Sequence, residues 1–123
     1  MKFNALLLPV LALGLALVSC SLPRRSEQSI RQRILHDTPQ GSAYSPVLNY
    51  VKKQGWSVAE QSGGYEIPKF GQTSSRVVGR RTIKAYLGGY RGLPWHVDVI
   101  CFWVFDEQDT LIDVFVDKQA DAL

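Results

Sequence analysis

The residues best equipped for chemistry cluster in WHVDVICF, where His96, Asp98 and Cys101 offer a base, an orienting carboxylate and a thiol nucleophile. Covalent catalysis would need all three on one side of the segment. In an extended strand alternate residues point to opposite faces, so His96 and Asp98 share a side that Cys101 does not. His36, the other histidine, would have to reach Cys101 from the end of a helix. Two isolated histidines and this cysteine match none of the usual metal-ligand spacings. LGGYRG, residues 87–92, lacks the Lys-Ser/Thr pair and the following helix of a phosphate loop. The expectation is a protein that is not an enzyme, with no catalytic residues, no metal and no cofactor.

The second cysteine carries a different chemistry. Met1 and Lys2 precede an almost unbroken apolar run from Ala5 to Val18, the layout of a secretory signal. Pro9 and Gly14 interrupt the run, which is short for the roughly 20 apolar residues of a membrane span. Leu17-Val18-Ser19-Cys20 resembles the lipobox of bacterial lipoproteins. That resemblance implies cleavage before Cys20, a diacylglyceryl thioether on its sulfur and an acyl group on the new amino terminus. One myristoyl chain anchors only marginally, at about 0.8 kcal/mol per methylene, whereas several chains hold a protein permanently. The next residue is Ser21, not the Asp that retains such proteins at the inner membrane of enteric-type bacteria. The resemblance therefore implies the outer membrane, facing the periplasm. Cys101 is then left without a disulfide partner and is expected to be a buried thiol.

The chain divides accordingly into a signal peptide (1–19), the lipidated Cys20 with a flexible tether (20–28) and one small α+β domain (29–123). The tether SLPRRSEQ would reach about 20–25 Å when extended. Its Arg24 and Arg25 either sit near anionic headgroups or are simply solvated. Ser26 can cap a helix bearing Ile30, Ile34 and Leu35, which must stop before Pro39. Tyr44, Val47, Leu48 and Val51 stand at helical spacing, with Pro46 in the first turn, Lys52 and Lys53 at the C-terminal end and Gly55 just beyond. Residues 56–79 read as a loop with one short strand at YEIP. A strand begins at Arg80, with Ile83, Ala85 and Leu87 on one side. The loop GGYRGLPW follows, and then a hairpin of the two most hydrophobic segments of the mature chain, joined by DEQD.

A two- or four-residue connection places Phe105 opposite Thr110, Phe102 opposite Asp113 and Ile100 opposite Phe115. One face then carries Val97, Val99, Cys101, Trp103, Phe105, Ile112, Val114 and Val116 without a charge, and should lie under the helices. An odd-numbered loop would flip the parity of one strand and is rejected. The other face holds Ile100, Phe102, Val104, Leu111 and Phe115 among Asp98, Asp113 and Asp117. It must be covered by residues 57–79 or left open for a partner. The predicted fold is α+β, two N-terminal helices packed on a three-stranded antiparallel meander (ααβββ). TPQGSAYSPVLNYVKKQGW and VDVICFWVFDEQDTLIDVFVDK resemble the small SmpA/OmlA lipoprotein domains, which include BamE, and more loosely the β-lactamase-inhibitor-protein repeat.

Charge is unevenly distributed. Lys69, Arg76, Arg80, Arg81, Lys84 and Arg91 form a basic stretch, whereas the chain from Asp98 onward is acidic apart from Lys118. Either neighbouring strands pair these charges, or Arg76, Arg80, Arg81 and Lys84 contact an anionic envelope component. Tyr90, Arg91 and Trp95, with Ile100, Phe102 and Phe115, are the candidate interaction residues. The compartment excludes nucleic acid. The expected function is a non-catalytic outer-membrane lipoprotein, held by its lipid anchor, that binds another envelope component, either a protein or an anionic lipid or glycan. The alternative is an inhibitor of a periplasmic or extracellular hydrolase, similar to β-lactamase or lysozyme inhibitors.

Overall fold

Helix α1 (Glu27–Asp37) starts at its expected cap: Ser26 is extended, and its side-chain oxygen accepts from the amide of Ser29 at 3.1 Å. The computed structural model describes residues 22–67, 76–92 and 94–122, so Cys20, Ser21, Lys69 and Leu93 lie outside it. α1 buries Ile30 and Ile34 and stops at Thr38, one residue before Pro39. Helix α2 (Tyr44–Lys53) takes Pro46 in its first turn and buries Tyr44, Val47 and Val51. Gly55 follows it with φ of 81°, a left-handed conformation that suits a residue without a Cβ.

The described residues form six strands, β1 (Ser57–Ser62), β2 (Tyr65–Ile67), β3 (Arg76–Val78), β4 (Arg81–Arg91), β5 (Trp95–Phe105) and β6 (Leu111–Ala122). The fold is α+β with two helices and an antiparallel sheet. The sheet is larger than the three-stranded meander expected from sequence. Four strands run in the order β1-β4-β5-β6, and β2 and β3 pair as a separate hairpin. The short strand expected at YEIP is β2. β1, by contrast, was expected to be loop. Its sequence SVAEQS shows no apolar alternation because it is an edge strand with one half-buried residue, Val58. Its order comes from backbone pairing along β4, from Ser57↔Tyr86 to Ser62↔Arg81.

The connection GGYRGLPW is also mostly strand rather than loop. Pairing of β4 with β5 continues to Arg91↔His96, and the Gly92 amide closes the turn on the Trp95 carbonyl at 2.8 Å. A bulge at Leu87, followed by Gly88 with φ of 131°, lets Leu87 and then Tyr90 both turn toward the helices.

The β5–β6 turn corrects the expected register. Asp106 pairs with Thr110 around a three-residue loop, Glu107-Gln108-Asp109, in which Asp109 takes a left-handed φ of 55°. The Asp106 carboxylate secures it by accepting from the amides of Gln108 and Thr110. The parity change that argued against an odd loop is cancelled by a bulge: Phe105 pairs with Leu111 but Val104 with Asp113. Strand partners are thereby displaced by two residues, so Phe102 faces Phe115 and Ile100 faces Asp117. The faces survive the slip because two is the strand period. One exchange occurs at the bulge, where Leu111 instead of Ile112 enters the core with Phe105 and Val114.

That core lies between the helices and one face of the sheet, with Trp103 fully buried at its centre. The Trp103 indole donates to the Thr38 hydroxyl at 3.1 Å, and that hydroxyl donates to the Ile34 carbonyl at 2.7 Å. Arg31 reaches over the open edge of β6, with Nε donating to the Val114 carbonyl at 3.0 Å and Nη2 pairing with Asp113 at 2.7 Å. It thereby occupies edge groups that would otherwise invite a further strand.

Residues 22–26 correct the tether. Leu22–Arg24 form a 3-10 turn, with Leu22 packed against the core and Gly88 facing the Pro23 ring. An apolar residue followed by proline finds a hydrophobic seat here, so packed structure begins at Leu22, within the stretch expected to be tether. Thr38→Val keeps the volume at position 38 but strips the Trp103 indole of its acceptor. It is expected to cost about 1–3 kcal/mol, read from the denaturant midpoint.

Candidate functional site

The docked Leu22–Arg24 turn closes one wall of a groove of about 170 Å³ between the C-terminal ends of the two helices. Leu22, Trp56 and Leu87 form its apolar lining, and Arg25, Arg33, Asp37, Tyr50 and Gln54 its polar groups. Asp37 is the hub, accepting from the Tyr50 hydroxyl at 2.7 Å and lying 3.4 Å from Arg33 Nε and 3.3 Å from His36 Nδ1. Burial alone would raise its pKa, but these hydrogen bonds and the Arg33 charge outweigh it and hold the carboxyl below its ordinary value. Burial and the bond to Asp37 push the Tyr50 phenol up. Arg25 makes no ion pair among the described residues. Of this set, sequence reasoning singled out only Arg25, as a tether charge. The i,i+4 pair Arg33–Asp37 was a readable signal, whereas the approach of Tyr50, Trp56 and Leu22 is long-range.

Beside the groove, Tyr90 lies between two cations. Arg24 sits 5.2 Å and Lys118 5.1 Å from its ring centre, and the Lys118 ammonium donates to its hydroxyl at 3.1 Å. Trp95, at the turn, is 48% exposed, and Arg91 is exposed as well. The structure thus brings Tyr90, Arg91 and Trp95 to one end of the sheet.

The other candidates are distributed elsewhere. Ile100, Phe102 and Phe115 lie on the sheet face away from the helices. There the β2–β3 hairpin lays Tyr65 on Phe115, stacked at 4.6 Å, and against Phe102 at 4.8 Å. All three are half-buried. Farther along, Val104 is fully buried beneath Gly79, where a Cβ would collide with it. Lys84 reaches over the Phe102 ring at 5.9 Å. Arg80 pairs with Glu107 at 3.0 Å, and Arg81 lies 3.2 Å from Asp109 and 3.7 Å from Glu60 while stacking on Tyr44. Arg76 is exposed on β3.

His96 and Asp98 do come together, Nε2 to Oδ1 at 3.0 Å, and Tyr86 donates to the same oxygen at 2.8 Å. Cys101 points the opposite way into the core, and burial pushes its thiol well above the ordinary value. No family model matches this chain, and no curated protein or solved structure shows significant similarity to it.

A two-stranded hairpin is marginal alone, so β2–β3 depends on the Tyr65 stack. Tyr65→Ala is expected to remove hydrogen-exchange protection from residues 65–67 and 76–78 while leaving β4–β6 protected. Alkaline pH provides a second check. Burial, then the bond to Glu60, raises the Tyr44 pKa to about 12, and Tyr50 moves in the same direction. A pKa raised in the folded state adds stability below the unfolded value of 10.0 and loses it as pH climbs through the folded value. The urea midpoint should therefore fall between pH 10 and 12, less steeply in Tyr50→Phe than in the wild type.

Proposed function

We propose that the protein is a non-catalytic lipoprotein of the outer membrane, anchored through lipid on Cys20 and facing the periplasm, that binds another envelope component. The observation carrying this reading is the lipobox-like LVSC ending two residues before a turn that packs on the domain. A cysteine so close to an ordered turn suits a short, fixed anchor. The groove beside that turn supports the binding half of the reading. It joins Trp56 and Tyr50 to Arg25, which has no ion pair among the described residues, and to Arg33, which Asp37 already partners, a combination that suits an anionic group on an apolar stem, as in an acidic peptide segment or a lipid or glycan headgroup. Similarity to the SmpA/OmlA lipoprotein domains is part of the same proposal.

Metabolic labelling with a fatty acid should mark the wild type and not Cys20→Ala, which should accumulate unprocessed or unanchored. A wild-type chain that takes up no label ends the anchor reading. For the groove, a photo-crosslinker at Gln54 should trap an envelope component in intact cells, and Arg25→Glu with Arg33→Glu should abolish the adduct.

A further inference from the structure

Basic residues are treated differently at the two ends of the sheet. At the β5–β6 turn Arg80 and Arg81 are neutralised by Glu107, Asp109 and Glu60. At the β4–β5 turn Arg24, Arg91 and Lys118 form no ion pair with any described residue, although two of them flank one tyrosine ring. On the face opposite Tyr90, Arg91 shares a row with His96 and Asp121, beside the Asp98 that Tyr86 and His96 hold. Two cations at the Tyr90 ring, Arg24 and Lys118, with Trp95 48% exposed nearby and Arg91 at the turn, are the composition of a membrane-interface contact: amphipathic rings at headgroup depth and cations for anionic lipid.

Lipid on Cys20, as proposed above, would bring this end to the membrane. Cys20 is two peptide links from Leu22, at most about 7 Å. Pro23 packs against Gly88, and β4 continues from there to Arg91 for about another 10 Å. A headgroup layer is only about 5–8 Å thick on each side of the hydrocarbon. With the turn at Leu22–Arg24 docked on the sheet, these lengths keep the β4–β5 end within about 17 Å of Cys20, near enough to reach that layer when the domain leans toward it.

We propose that the β4–β5 turn, through Trp95, Tyr90, Arg24, Arg91 and Lys118, seats on an anionic phospholipid surface and fixes how the domain stands on its membrane. The proposal deepens the lipid-anchor reading and rests on it for the position of Cys20. It leaves the paired β5–β6 end and its acidic turn pointing away from the bilayer, and it opens the groove at Leu22 sideways along the lipid surface.

The test uses the chain purified from membranes, carrying Pro94→Cys or Gln108→Cys with an environment-sensitive fluorophore at the new thiol. The protein without either substitution reports any labelling of Cys101. In vesicles of phosphatidylethanolamine with phosphatidylglycerol, the label at 94 should shift to the blue and be quenched by nitroxide lipids, and the label at 108 should stay water-like. A water-like signal at 94, or equal quenching at both positions, overturns the proposal. The mass of the amino-terminal peptide reports the anchor separately. If Cys20 carries no lipid, the anchor reading has failed, and the same labelled chain added to preformed vesicles decides the contact on its own. Binding to phosphatidylglycerol vesicles but not to phosphatidylcholine, reduced roughly fivefold by each of Arg24→Gln and Arg91→Gln, upholds it. Absence of binding, or equal binding to both lipids, overturns it.

Discussion

Strand β5 is apolar on both sides, and a strand of that kind in water must be covered twice. Its helix-facing residues Val99, Cys101, Trp103 and Phe105 are fully buried, and a Trp at the centre brings an indole N–H that has to find an acceptor in a dry site. Thr38 supplies it from the first residue beyond α1. The same hydroxyl donates to the Ile34 carbonyl, which also accepts from the Thr38 amide. One residue thus closes the last turn of α1 and fixes it over the sheet. The opposite face, with Ile100, Phe102 and Val104, receives the second cover from the β2–β3 hairpin and from Gly79.

Among the described residues, covering both faces with one short chain draws attention to the sheet's ends and edges. Edge strand β1 is polar, and edge strand β6 is partly occupied by Arg31. The end at β5–β6 is a network of charges that satisfy one another. The remaining end gathers the docked Leu22–Arg24 turn, the groove between the helix ends and the aromatic-basic β4–β5 turn. In the proposed reading this end carries both anchor and ligand, so orientation on the membrane and access to the groove are linked. A domain on a long tether would sample many orientations, whereas a docked turn next to the anchor selects a few at little entropic cost.

Charged and titratable groups follow the same division. Cys101 is removed from reaction by burial, and its strand neighbours His96 and Asp98 face the other way with Tyr86. The basic stretch from residue 76 to 91 separates by position. Arg80 and Arg81 stabilise the acidic turn, Lys84 covers Phe102, and Arg91 stands at the β4–β5 turn opposite His96. Linear charge runs are resolved this way because antiparallel pairing brings one strand's cations beside another strand's acids.

The amino-acid sequence by itself determined the elements whose signals are local. The Ser26 cap, the stop before Pro39, the Pro46 and Gly55 positions of α2 and the two hydrophobic strands are all legible, because a few neighbouring residues set each one. It also determined which residues of β5 face the helices, since a displacement of two residues preserves strand parity. Tertiary structure alone decided the register, through a three-residue loop and a compensating bulge whose parity changes cancel. It decided as well that SVAEQS is a strand, because an edge strand with a single half-buried side chain is ordered by pairing to β4 rather than by its own pattern. The candidate site belongs to the same category. Leu22 lies far along the chain from Trp56 and Leu87, and only packing brings such residues into one groove.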